Sequence, residues 1–239
     1  MTWFISAGRD PVIGAFFWST LTITSYLCVK AMYRRWSRWW LAPLAITPLA
    51  LILTAIVLHA SYRDYIRGTH WLVALLGPAT VAFAVPIYEQ RSLIRQHWRV
   101  LGLGMLTGTA TSMLSSWCLA MVLGLDGNLR LSLLPRSIST PFAMTISGEI
   151  GGTPDLTAVF VVATGIIGAI VGELLLTWFP GWSPLARGAL LGVGAHGAGT
   201  AKAHEFGRQE GSVAGLVMVL VGLFNVLLAP VVAACLRVG

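Results

Sequence analysis

The sequence predicts an all-α integral membrane protein with six to seven transmembrane helices and two further segments that are broken or re-entrant. Three observations carry this prediction. Hydrophobic residues make up 56% of the 239 residues and charged residues only 10%, against about 25% charged residues in a typical soluble domain. The mean hydropathy is +0.77. Long uncharged runs recur along the chain at about the length that crosses a bilayer. A soluble fold of this size has too little interior to bury so much apolar surface.

The basic residues do not indicate a nucleic-acid-binding protein, although the formal net charge is +7. They lie in short breaks between apolar runs, which is typical of residues that flank membrane spans and not of a continuous basic face. No charged region precedes a short apolar core at the N-terminus, so we expect no cleavable signal peptide. The chain carries no signature of a hydrolase, a zinc protease or a P-loop, and we expect no enzymatic activity.

The six predicted spans are runs that contain no Asp, Glu, Lys or Arg. They cover residues 11–29, 39–62, 68–88, 100–125, 156–172 and 211–236, and the fifth stays apolar beyond Glu173 as far as Trp182. About 20 helical residues are needed to cross about 30 Å of hydrocarbon. Each run is therefore close to the required length.

Two further uncharged runs are too short to cross as straight helices. They cover residues 137–148 and 188–201 and are rich in Gly, Ser, Thr and Ala. Non-helical backbone at membrane depth persists only where protein or a watery cavity satisfies its polar groups, and such interrupted segments often mark a transport site. We therefore predict broken or re-entrant segments over 137–150 and 188–204. Two surface loops, or an ordinary seventh helix, are the alternatives.

The distribution of Arg and Lys predicts the orientation in the membrane. Residues 30–38 and 89–99 hold seven basic residues, whereas the breaks at 63–67 and 126–136 hold four. The positive-inside rule places the first two breaks in the cytoplasm. We expect one polytopic membrane domain over residues 1–239.

A weak internal repeat is visible between two parts of the chain. The stretch GPATVAFAVP, which contains Pro78, precedes a span with the pair Thr107-Gly108. The stretch TPFAMTISGEIGG, which contains Pro141, precedes a span with Thr164-Gly165. The two spans run in opposite directions in the predicted topology, as in an inverted repeat. Chance similarity between Gly-rich membrane segments is the alternative.

Polar residues inside a membrane are costly, so those in the two short segments are candidate binding residues. Arg136 could hold a carboxylate with its guanidinium, and a helix that starts near Pro141 would offer free N–H groups. His196 could bind a carboxylate or relay a proton. The predicted substrate-binding set is Arg136, Ser139, Thr140, Pro141, His196, Gly197 and Thr200, with Pro78 and Thr80 as a third wall if the repeat is real. The alternatives are an interfacial arginine and a packing histidine.

Three carboxylates are candidates for proton or ion coupling. Glu149 ends the first short segment, Glu173 interrupts an apolar span, and Glu205 follows the second short segment. A buried carboxylate binds a proton more readily, as proton-coupled carriers require. Cys28, Cys118 and Cys235 show no metal-ligand spacing, and we expect small core residues there. No metal site and no cofactor are predicted.

Three stretches resemble the LrgB/CidB family of bacterial membrane proteins. They are LLGPATVAFAVPIYEQ at 75–90, the segment from LPRSISTPFAM to GAIVGE at 134–173, and the segment from ARGALLGVGAHGAGTAKAHEFGRQEG to VMVL at 186–220. Residues 71–239 thus form a family-like core, and residues 1–70 carry no comparable motif. A plant plastidial glycolate/glycerate translocator is related to the same family.

The resemblance implies a multi-pass protein of the bacterial inner membrane that works beside a smaller LrgA/CidA-type membrane protein. A homo-oligomer is possible, but the sequence does not determine the oligomeric state. The resemblance also implies one of two functions: a holin- or antiholin-like regulator of murein hydrolase activity and lysis, or a carrier of small monocarboxylates such as glycolate, glycerate, pyruvate or lactate. A scaffold or channel subunit without transport of its own is a third possibility.

Elementary physical chemistry favours the carrier function over the holin-like function. A holin opens a lesion by assembling many short hydrophobic proteins and needs no glycine-broken segments that hold Arg, His and hydroxyl groups at membrane depth. A carrier of a small anion needs such groups, and the positive charge of Arg136 suits a carboxylate better than a cation.

Overall fold

The computed structural model describes residues 11–36, 41–125 and 127–238. Within these ranges the chain is helical and contains no strand. The prediction of an all-α membrane protein is confirmed. The chain forms two compact units, residues 1–79 and 80–239, and the expectation of one polytopic domain stays a prediction. The N-terminal residues Arg9 and Asp10, the basic residue Arg38 and the acidic residue Asp126 lie outside the described residues.

Eleven helices are present in the described part of the chain. They are α1 (Pro11–Trp36), α2 (Pro43–Val57), α3 (Tyr62–Ala74), α4 (Leu76–Ala82), α5 (Ala84–Glu89), α6 (Arg91–Val122), α7 (Gly127–Leu133), α8 (Thr140–Ile150), α9 (Pro154–Trp178), α10 (Pro184–Phe206) and α11 (Arg208–Val238).

Among the described residues, five stretches are long and apolar enough to cross a membrane: residues 12–36, 62–89, 91–122, 154–178 and 208–235. The predicted span at 39–62 is a helix of only 15 residues, α2, and it is shorter than the run because the chain leaves the helix after Val57. The predicted span at 68–88 belongs to the near-continuous series α3 to α5. The number of spans in a bilayer, expected to be six to seven, stays a prediction.

Apolar side chains cover the outer faces of these helices, and Leu53, Val81 and Val122 are each more than half exposed. Such surface is typical of helices that face lipid, because lipid tails cover apolar side chains without a protein partner. Cys28, Cys118 and Cys235 are also exposed. The expectation that they are core residues was wrong, because an apolar helix in a membrane need not turn its small apolar residues inward.

In the first unit, α1 packs against α3 and α2. Trp18 is buried and meets Tyr65 edge-on, with 5.5 Å between ring centroids. Ser19 donates a hydrogen bond to the Gly68 carbonyl at 2.9 Å and accepts one from Trp71 Nε1 at 2.7 Å. The missing side chain of Gly68 lets the two helices approach closely, a common device of helix packing in membranes.

In the second unit, the short helix α8 packs against α9 and α11. Its core residues Phe142 and Ile146 are buried with Val217 and Val221 of α11. At 11 residues α8 is about 16 Å long, so it cannot cross the hydrocarbon by itself. It ends at Gly151, whose φ of 91° requires a glycine-like conformation.

Buried hydroxyl groups link the short helices α7 and α8 to the start of α9. Thr157 Oγ1 of α9 lies 2.9 Å from the Ser132 carbonyl and 2.7 Å from Ser147 Oγ. Ser132 Oγ accepts from the Thr153 N–H at 2.7 Å. Because these polar atoms are satisfied within the protein, α7, α8 and α9 can meet without water.

The second predicted broken segment, residues 188–204, lies in α10, and this helix is interrupted at His196. The backbone there has φ 41° and ψ −116°, far from helical values. The predicted break in 188–204 is confirmed. Gly194 and Gly197 flank it, as expected for a helix that must change direction.

Candidate functional site

Arg136 lies in the turn between α7 and α8, and its guanidinium reaches two neighbouring helices. Nε donates to Ser116 Oγ at 2.8 Å and Nη2 to Ser115 Oγ at 3.4 Å, both on α6. Nη1 donates to Thr164 Oγ1 of α9 at 3.4 Å. We call Ser115, Ser116, Arg136, Thr164 and His196 the Arg136 cluster.

The charge of Arg136 is not neutralised by a carboxylate among the described residues. Its partners are three neutral hydroxyl groups, and two of those contacts are long. A half-buried guanidinium is stabilised far better by an anion than by hydroxyls, and a carboxylate matches its planar fork. The arrangement is therefore suited to a small anion.

His196 sits at the break of α10 with only 3% of its surface exposed. Its ring lies beside the main chain of Arg136, within reach of the carbonyl group. The ring nitrogen Nε2 is buried and has no hydrogen-bond partner. Across the interface lies Gly165 of α9, where a Cβ atom would come within 3.5 Å of His196 Nδ1. The glycine leaves room for the imidazole.

The backbone of His196 adds a second unusual feature. A positive φ at a non-glycine residue costs about 1–2 kcal/mol, and an unpaired buried nitrogen adds a further cost. Strain and unmet hydrogen bonds persist where the surrounding structure fixes them, and they cluster at binding sites.

A second buried polar atom without a hydrogen-bond partner lies at the start of α8. Ser139 occupies the N-cap position, yet its side chain makes no capping hydrogen bond, and its buried Oγ has no partner. Thr140 is half-buried and Pro141 lies in the first turn. The predicted approach of the segments 137–150 and 188–204 to each other stays a prediction. A role of Ser139, Thr140 and Pro141 in binding stays a prediction.

The remaining predicted binding residues lie beside the cluster or elsewhere. Thr200 donates to the His196 carbonyl at 2.9 Å and lies 3.9 Å from Met218 Sδ of α11. Gly197 is exposed. Pro78 and Thr80 both lie on α4, in the first and second unit respectively, and their role as a third wall stays a prediction.

The coupling carboxylates are less buried than the sequence suggested. Glu173 is 40% exposed and pairs with Lys202 at 2.7 Å, and Lys202 also meets Glu205 at 2.8 Å. The ion pair between Glu173 and Lys202 links α9 to α10. It compensates the charge of Glu173 within the apolar helix α9. Glu149 is exposed on α8. A coupling role for these three groups stays a prediction.

Sequence reasoning missed a small polar pocket beside Ser137. Its volume is about 10 Å³, enough for one water molecule. Thr109, Ser112 and Asn225 line it, and Asn225 Nδ2 donates to Thr109 Oγ1 at 3.0 Å. The signal was available, because an amide inside a 26-residue uncharged run must find a hydrogen-bond partner within the protein, but a search for charged residues alone does not find it.

Comparisons with known proteins place this chain in one family. Residues 22–235 match the LrgB-like family model, including residues for which we found no motif. The chain is 37% identical over 210 residues to "Uncharacterized protein YwbG" of Bacillus subtilis, covering 88% of this chain and 93% of that protein. It is 31% identical over 211 residues to "Holin-like protein CidB" of Staphylococcus epidermidis, covering 88% and 92%. No solved structure matches.

Proposed function

This chain belongs to the LrgB-like family, and on that premise we propose that it acts as a holin-like protein of the bacterial inner membrane. The observation that carries this proposal is the 31% identity, over 88% of the chain, to a protein named holin-like protein CidB. In this function the protein regulates murein hydrolase activity and lysis together with a small LrgA/CidA-type membrane protein. The names of the staphylococcal relatives favour this function over the carrier that physical chemistry alone suggested.

A second candidate function is favoured by one specific observation, the Arg136 cluster. A carrier of a small monocarboxylate needs a cationic group to bind its substrate, and this need explains a half-buried guanidinium without a carboxylate partner. A membrane lesion assembled from many copies of the chain does not need such a group. The carboxylate would take the place of the long contacts to Ser115 and Thr164, both at 3.4 Å. The shorter bond to Ser116 would keep the guanidinium in position.

The imidazole supports a particular class of anion for this second candidate. A neutral imidazole whose other N–H faces the nearby Arg136 carbonyl presents the unpartnered Nε2 as an acceptor. A hydroxyl group on the substrate can donate to that nitrogen. Glycolate, lactate and glycerate carry such a hydroxyl next to the carboxylate, whereas pyruvate does not. Hydroxy acids are therefore the preferred substrates of a carrier built around this cluster.

Proteoliposomes distinguish the two functions. Vesicles are loaded with the dye calcein and incubated with labelled lactate, with and without an LrgA/CidA-type partner. A holin-like lesion releases calcein and admits lactate without saturation, because an aqueous hole does not select. A carrier retains calcein and takes up lactate saturably. Vesicles that do neither, with either composition, contradict both proposals.

Arg187→Gln serves as the control for Arg136→Gln in the same vesicles. Arg187 is half-buried and donates to carbonyl groups of the preceding turn, at Trp182 and Pro180. Both substitutions remove one positive charge, but only the change at Arg136 removes the guanidinium of the cluster. Loss of saturable uptake in Arg136→Gln alone supports the carrier, and unchanged calcein release in both variants supports the lesion.

A further inference from the structure

An open groove lies on the second unit where α5 ends and α6 begins. Its volume is about 350 Å³, and it is lined by Ala84, Ile87, Tyr88, Arg91, Ile94 and Arg95. We call it the Arg91 groove. Its floor is aliphatic, and the polar groups at its edge are two guanidinium groups and one phenol. The groove is remote in sequence from the residues of the Arg136 cluster and has no part in the functions proposed above.

Hydrogen bonds fix the junction of α5 and α6 beside the groove. Gln90, at the junction of α5 and α6, donates from Nε2 to the Ser212 carbonyl of α11 at 2.8 Å. Arg91 lies over the Tyr88 ring at 4.4 Å and donates from Nη1 to the Tyr88 carbonyl at 2.9 Å. Arg91 therefore stays at the rim of the groove instead of extending freely.

The positive charge along this edge is not compensated. Arg91 and Arg95 are four residues apart and share one face of α6, where like charges repel. Arg99 follows one turn later, beyond the irregular backbone at His97, and lies over the Trp98 ring at 5.4 Å. All three arginines are exposed, and none is paired with a carboxylate in the described part of the chain.

We propose that the Arg91 groove binds one anionic phospholipid. The phosphate lies between Arg91 and Arg95, and an acyl chain lies along Ala84, Ile87 and Ile94. A soluble anion would use the guanidinium groups but not the aliphatic floor, whereas a neutral lipid would use the floor but leave the arginines unpaired. Tyr88 and Trp98 suit the headgroup level of a bilayer. Basic pockets between membrane helices bind anionic headgroups in this way.

The test measures lipid binding to the purified full-length protein by native mass spectrometry in detergent, with phosphatidylglycerol and phosphatidylcholine of the same acyl chains. The variant is Arg91→Gln/Arg95→Gln/Arg99→Gln. The matched control is Lys30→Gln/Arg34→Gln/Arg35→Gln, which removes three positive charges from α1 instead. Each arginine at a membrane surface contributes about a fivefold factor in anionic lipid affinity.

The expected result is a preference for phosphatidylglycerol that falls at least about tenfold in the α6 variant and stays within about twofold in the α1 control. A second variant, Ala84→Phe, keeps the charges and fills the floor, and it should weaken lipid binding but not binding of glycerol phosphate. Equal losses in the two charge variants, or no preference for the anionic lipid, would overturn the proposal. So would the appearance of a second copy of the chain on the groove in place of lipid.

Discussion

The imidazole of His196 lies beside the main chain of Arg136, so the turn before α8 meets the break in α10. The side chain of Arg136 points at hydroxyl groups of α6 and α9. Arg136 and His196 thus link the helices α6, α9 and α10. The conformation of His196 is energetically unfavourable in two respects: its φ is positive, and its buried Nε2 has no hydrogen-bond partner.

The first prediction concerns Arg136. Replacing it with Gln removes the charge-assisted hydrogen bonds to an anion, each of which contributes about 1.5–3 kcal/mol. We expect saturable lactate uptake to fall roughly ten- to hundredfold in proteoliposomes. Arg136→Lys keeps the charge but lacks the planar fork, and its uptake should lie between the two. Uptake that is equal in wild type and Arg136→Gln would exclude Arg136 from the site.

The second prediction separates strain from function at His196. His196→Gly removes the conformational cost of the positive φ, about 1–2 kcal/mol, while His196→Ala keeps it. We therefore expect the glycine variant to be more stable than the alanine variant, by several degrees in melting temperature. Both lack the imidazole, so both should lose the preference for hydroxy acids over pyruvate. The stability comparison is made by thermal denaturation followed by intrinsic fluorescence, and equal melting temperatures would contradict a strained backbone.

The third prediction concerns the contact between α9 and α10. A Cβ atom at Gly168 would fall on the Gly194 carbonyl oxygen and come within 3.0 Å of its carbonyl carbon. Because backbone atoms must then move, Gly168→Ala should destabilise the protein by about 1–3 kcal/mol. Gly102→Ala is the matched control, since a Cβ there meets nothing within 4 Å, and alanine favours the helix by up to about 1 kcal/mol. A Gly168→Ala protein as stable as the control would contradict this close contact.

The fourth prediction concerns the buried amide of Asn225. Its Nδ2 group donates to Thr109 Oγ1 and to the Val221 carbonyl. Asn225→Leu leaves the Thr109 hydroxyl without this donor, at a cost of about 1–3 kcal/mol. The double change Asn225→Leu/Thr109→Val removes both polar groups and should recover part of the loss. Thermal denaturation of the two variants in the same detergent measures their losses of stability. If the loss in the double variant were the sum expected for two independent changes, Asn225 and Thr109 would not be coupled.

The sequence predicted the membrane class, the break in 188–204 and six spans, five of which coincide with long apolar stretches of the structure, because run length and glycine content act locally. It did not predict that α2 is only 15 residues long, since nothing in an uncharged run marks where the helix stops. Arg136 and His196 were identified as costly polar residues in lipid. Their hydroxyl partners Ser116 and Thr164 were missed because hydroxyls are common in apolar helices, and only packing shows which of them face inward.

The most direct measurement of the claim that Arg136 and His196 form a small-anion site is ligand-dependent thermal stability of the purified full-length protein. Lactate is titrated against wild type, Arg136→Gln and the Arg187→Gln control. A ligand at about 100 times its dissociation constant stabilises the folded state by about 2.7 kcal/mol. We predict a saturable rise in melting temperature for wild type and for Arg187→Gln, and none for Arg136→Gln. An equal rise in all three proteins, or no rise in wild type, would contradict the site.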